Sequence, residues 1–160
     1  MTPPVIIDVQ RAAAAPCPGV AQVRRWVRAM LAAAGAPAAD LTVRLVDEAE
    51  MQALNQAHLG RDYAANVLSF PGPDAGSLPP DCPVPLGDVV VCVPVARAEA
   101  QRFGKADDDR LAHLVVHGVA HLLGHDHHTA AQRRRMEALE RAALAALGLA
   151  DPYLAGTAPA

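Results

Sequence analysis

The chain is poor in aromatic residues and in lysine. Phe, Trp and Tyr together make up 3% of its 160 residues, and Lys105 is its one lysine. Without a lysine-rich surface, and with a formal net charge of −3 and a pI near 6.1, it is no basic nucleic-acid coat. Local arginine clusters remain possible, because net charge averages over the whole surface. Cysteine is also scarce: Cys17, Cys82 and Cys92 are odd in number, far apart and form no CxxC. That argues against a disulfide framework and suits free thiols in a reducing compartment. No apolar run approaches the roughly 20 residues of a membrane-spanning helix. MTPPVIIDVQR lacks the charged start and long apolar run of a signal peptide. The expectation is a soluble, cytoplasmic protein with no membrane partner.

The length suits one domain with a real core, taken as residues 1–160 with flexible ends at 1–4 and 154–160. VIIDV (5–9) reads as a strand. Val20, Val23, Val27, Met30 and Leu31 fall at helical spacing over 20–35, with Gly35 as a stop. Leu41, Val43 and Leu45 alternate in a second strand, 41–47. Strand, helix, strand predicts a parallel pair joined by a right-handed crossover. A helix over 47–59 and a strand over 66–70 ended by Pro71 come next. After a Pro/Gly loop, a strand over 86–93 leads to a helix over 96–104. A helix over 111–124, preceded by Asp107–Asp109, comes before a last helix to Gly148. Thr129 and Gln132 form a capping box for that last helix. The expected fold is α+β: a small four-stranded mixed sheet with about five helices.

Histidine is concentrated. Six of the seven, at positions 113, 117, 121, 125, 127 and 128, fall within sixteen residues. Residues four apart share a helix face, so His117 and His121 can converge on one ion. His113 lies eight residues from His121, about 12 Å along a helix, too far to share that ion. Gly124 lets the chain turn back, and spacing favours His127 as the third ligand over His125 or His128. Any single histidine of the group could instead be solvated or satisfied in a core. Three imidazoles on a tetrahedral ion leave one open position, the arrangement of a catalytic site. Zn2+ is the first choice, with nickel or another transition ion possible. A water on such an ion becomes a usable nucleophile near neutral pH. Gly118 stands where HExxH peptidases carry their glutamate base, which disfavours that chemistry. Asp126 can orient a ligand imidazole or accept a proton.

HGVAHLLGHDH (117–127) resembles the signature of the YbeY family, metal-dependent endoribonucleases of ribosomal RNA maturation. NVLSFP (66–71), LGDVVVC (86–92), HLVVHG (113–118), MEALE (136–140) and LGLADPY (147–153) are similar to further family segments, in the same order. The resemblance covers most of the chain from residue 41. It implies a small mixed sheet with helices and three histidines holding zinc. It also implies single-strand-specific RNA cleavage, work on the 3′ end of small-subunit ribosomal RNA, and ribosome quality control. The implied partners are single-stranded or ribosomal RNA and the small subunit or its assembly proteins, with no DNA. Two departures stand out. His125 replaces the family's tyrosine, and HLGRD (58–62) replaces YRGKD, so Leu59 stands at the family's arginine. Arg61, two residues on, is then the candidate for the scissile phosphate, or a plain surface charge. Arg24, Arg25 and Arg28, Arg102 and Lys105, and Arg133–Arg135 are further cations for RNA or for solvent. No general base is identified. The alternatives are a metal-dependent hydrolase of another bond and a non-catalytic ribosome assembly factor with a structural metal.

Overall fold

In the computed structural model, which describes residues 5–36, 38–79 and 85–153, four strands and five helices follow one another in the expected order. The two termini expected to be flexible, and Cys82, lie outside the described residues. Strand β1 is Val5–Arg11, helix α1 Val20–Ala33, β2 Ala39–Val46, α2 Glu48–Leu59 and β3 Val67–Pro71. Then come β4 Pro85–Cys92, α3 Val93–Arg102, α4 Asp107–Leu122 and α5 Ala130–Ala146. The sheet order is β1-β2-β4-β3. β1 and β2 are parallel, as the strand–helix–strand pattern predicts, and β2 is parallel to β4. β3 runs antiparallel to β4 on the sheet edge, where a proline such as Pro71 removes no needed ladder bond. The fold is α+β around one mixed sheet.

Two helix starts differ from the sequence expectation. α3 begins at Val93, three residues early, because Pro94 in the first turn lacks only an N–H that has no partner there. α4 begins at Asp107, so the three aspartates sit inside its first turn, where the helix dipole favours negative charge. The capping box is formed as read: the Thr129 hydroxyl accepts from Gln132 N–H, and the Gln132 side chain accepts from Thr129 N–H.

The main core lies on one face of the sheet. α1 buries Val23, Trp26, Val27, Met30 and Leu31, a stripe at the i, i+3, i+4 spacing. These pack with Leu41, Val43 and Leu45 of β2, Val89 and Val91 of β4, and Leu111, Leu114, Val115 and Val119 of α4. Each such side chain contributes roughly 1.5–3 kcal/mol by leaving water. On the other face Met51 of α2 meets Val46, Val90 and Cys92 in a smaller cluster. The two central strands are thus covered on both sides, and α4 is wedged against α1, α3, α5 and the β3–β4 edge. That central helix carries the histidines.

Candidate metal centre

Gly118 explains how α4 sits. A Cβ at this position would lie 2.5 Å from Val89 Cγ1 and 3.3 Å from Ser69 Oγ. Only glycine lets the helix approach the sheet this closely, and Ser69 then donates to the Gly118 carbonyl at 2.9 Å. The same contact bars a glutamate beside His117, so the absence of the peptidase base has a steric cause. One helix turn apart, His117 and His121 face each other, their Nε2 atoms 3.1 Å apart. α4 then ends in a glycine turn. Gly124, at φ +94°, donates to His121 C=O, and His125 N–H reaches back to Ala120 C=O. This closing pair of bonds reverses the chain. His127 returns to the helix end, and one nitrogen from each of His117, His121 and His127 lies within 4.8 Å of the others.

The remaining histidines are placed elsewhere. His113 is buried and bonds to Glu140 at 3.0 Å. His128 is exposed and pairs with Asp126 at 3.0 Å. His125 lines a cleft of about 510 Å3 in front of the triad, whose far wall includes Leu59, Asn66, Ser69 and Pro71. Asp126 does not grip the His127 ring: its Oδ1 is 4.0 Å from Nδ1 and accepts the His127 backbone N–H at 2.7 Å instead. That backbone bond, with weaker help from the neighbouring histidines, holds the Asp126 carboxyl below its usual range. Arg61 is exposed and is not among the residues lining the cleft; its backbone N–H bonds to Asn55 C=O. Among the arginines, Arg133 adjoins the triad. It lines a second cavity of about 340 Å3 together with His117, His127, Glu137, Glu140 and Tyr153.

Sequence patterning assigns Glu140 no role, although two of its partners, His113 and His117, belong to the histidine cluster. The carboxylate, 1% exposed, takes His113 Nε2 at 3.0 Å, Tyr153 OH at 3.0 Å and His117 Nδ1 at 3.2 Å on one oxygen. Burial pushes its pKa up, but the hydrogen bonds from His113 and His117 outweigh it and bring the group down to about 2. Burial lowers the pKa of His113, and of His121, where His117 and His127 add to the effect. The signal that could have exposed Glu140 is its helical spacing: it shares a buried α5 face with Met136, Ala143 and Leu144.

The donor set fits a transition ion. Three imidazoles converge, and one of them is shifted toward the neutral, ligating form. Two nitrogens on one tetrahedral ion stand roughly 3.4 Å apart at bond lengths of about 2.0–2.1 Å, close to the His117–His121 separation.

Comparison with known proteins places this geometry in context. The family profile described as "Endoribonuclease YbeY" matches residues 17–148. A protein of Alkalilimnicola ehrlichii named Endoribonuclease YbeY is 53% identical, covering 94% of this chain and 92% of its own. One of the same name from Halorhodospira halophila is 49% identical, over 90% and 93% respectively. The solution structure of a Thermotoga maritima protein shares the fold at a TM-score of 0.59 and 21% identity, over 89% of this chain and 92% of that one.

Proposed function

Because the chain belongs to the YbeY endoribonuclease family, we propose that it cleaves single-stranded RNA with the help of one zinc or similar transition-metal ion. We place this work in 3′-end maturation of small-subunit ribosomal RNA and in ribosome quality control, in the cytoplasm, with residues 1–160 acting as one domain. The observation that carries the reading is the convergence of His117, His121 and His127 nitrogens at the base of an open cleft.

His117, His121 and His127 would hold the ion. When bound, the ion supplies Lewis-acid polarisation of a phosphoryl oxygen. The chain's own residues do the rest. Asn66 and Ser69 offer polar groups on the cleft wall, and Leu59 offers an apolar surface to a ribose or base. RNA binding needs cations at its phosphates. Arg133 is the better placed for a phosphate at the histidines, since it shares a cavity with two of them. Arg61 is the more distant candidate. Asp126 braces the loop that carries His127. Free Cys17 and Cys92 suit a reducing compartment, and no helix among the described residues is long and apolar enough to cross a membrane.

A second reading, an assembly factor that binds RNA without cutting it, draws on Leu59 at the cleft wall. The two part in one assay. Labelled single-stranded RNA, duplex RNA and single-stranded DNA are incubated with the parent and with His121→Ala, matched for folding by circular dichroism. The nuclease reading expects cleavage of single-stranded RNA alone, abolished in the variant. RNA binding without cleavage, across added zinc, nickel and manganese, would select the assembly factor.

A further inference from the structure

We propose that Glu140 is the positioning residue of the metal centre: it fixes which nitrogen of His117 faces the ion, and Arg110, through His113, fixes Glu140. This rests on the metal-site reading above and adds the groups that orient a ligand.

A ligating imidazole must present a bare nitrogen and carry its proton on the other one. The order of donors and acceptors leading to His117 is forced. Glu99 holds Arg110 at 3.0 Å. Arg110 NH1 is 3.4 Å from His113 Nδ1, and a guanidinium can only donate, so that nitrogen accepts. The proton of neutral His113 therefore sits on Nε2, which points at Glu140 Oε1 from 3.0 Å. Tyr153 donates its hydroxyl to the same oxygen. A buried carboxylate oxygen so placed accepts and does not donate. His117 Nδ1, 3.2 Å away, must then carry its proton, and His117 Nε2 is left bare on the side that faces His121. His113 is on α4 and Glu140 on α5, so the bond also ties together the two helices that flank the site.

The test reads nitrogen protonation directly. In the metal-free parent, 15N NMR of the histidine side chains is expected to show His117 protonated at Nδ1 and His113 at Nε2. Zinc affinity is then measured by competition with a chromogenic chelator, for the parent, Glu140→Gln and His121→Ala. Glu140→Gln is expected to weaken zinc binding roughly 10–100-fold and to mix the His117 tautomers. A merely structural Glu140 would lower the melting temperature and leave both readouts at parental values. Zinc binding that His121→Ala loses but Glu140→Gln retains in full would overturn the inference and leave the metal site standing. The opposite tautomer at His117 or His113 in the parent would also overturn it, without need of any variant. A parent that binds no zinc would overturn the metal reading and this inference together.

Discussion

Gly118→Ala isolates the contact that sets the histidine helix on the sheet. Glycine-to-alanine inside a helix normally gains about 1 kcal/mol. Here the added methyl would lie 2.5 Å from Val89 Cγ1 and 3.2 Å from its Cγ2. Valine has few rotamers with which to move aside, and Val89 is wholly buried between β2 and β3. Overpacking of this kind costs typically ~1–3 kcal/mol, so the net effect after the helix gain is a loss of up to about 2 kcal/mol. For a chain of this size that lowers the melting temperature by up to roughly 8 °C. The background sets the size of the effect. Val89→Ala removes both methyls and leaves the 3.3 Å approach to Ser69 Oγ, so in that variant Gly118→Ala should cost less than in the parent. Thermal or urea unfolding of the four proteins closes the cycle. A stabilising Gly118→Ala in the parent, or equal effects in both backgrounds, would refute the close-approach argument.

Arg133→Ala is expected to weaken binding of a labelled single-stranded RNA and to reduce the slope of log affinity against log salt by about 1, read by fluorescence anisotropy. An unchanged slope would remove Arg133 from the RNA track. Thr129→Ala breaks the capping box and should cost about 1 kcal/mol in urea unfolding, since the N-terminal turn of α5 loses a bonded partner. Acid stability should report Glu140. Its carboxyl stands at about 2 in the folded protein against an ordinary 4.5, so below 4.5 the unfolded chain takes up the proton first. The stability it contributes is whole above that value and is lost as pH falls toward 2. Glu140→Gln should flatten the pH dependence across that window, and parallel curves for the two proteins would contradict the assignment.

The sequence carried those features whose causes are local. Alternation of Leu41, Val43 and Leu45 marked a strand, the 20–31 stripe marked a helix, and their order gave the parallel pair. Histidines at helical spacing followed by a glycine stop predict that His117, His121 and His127 converge, and their nitrogens do come together in the fold. The helix starts at Val93 and Asp107 also have local causes, Pro94 and the three aspartates, although patterning by apolar periodicity places these residues outside their helices. Glu140 and Arg110 are different. Each is a buried charge that meets groups distant in sequence: His113, His117 and Tyr153 for Glu140, and Glu99 for Arg110. Periodicity can place such a residue on an inward face without saying what meets it there. Arg133 likewise stood among three consecutive arginines of one exposed turn, and only the packing of α5 beside the triad separates it from its neighbours.

Under the proposed function, RNA cleavage depends on an ion held by His117, His121 and His127. The most direct measurement strips the protein with a chelator, restores zinc stepwise, and follows bound metal and cleavage of single-stranded RNA in the same samples. Cleavage that is absent from the stripped protein, returns in step with one ion per chain, and never returns in His121→Ala is the predicted result. Full cleavage by the stripped protein, or by His121→Ala, would contradict it.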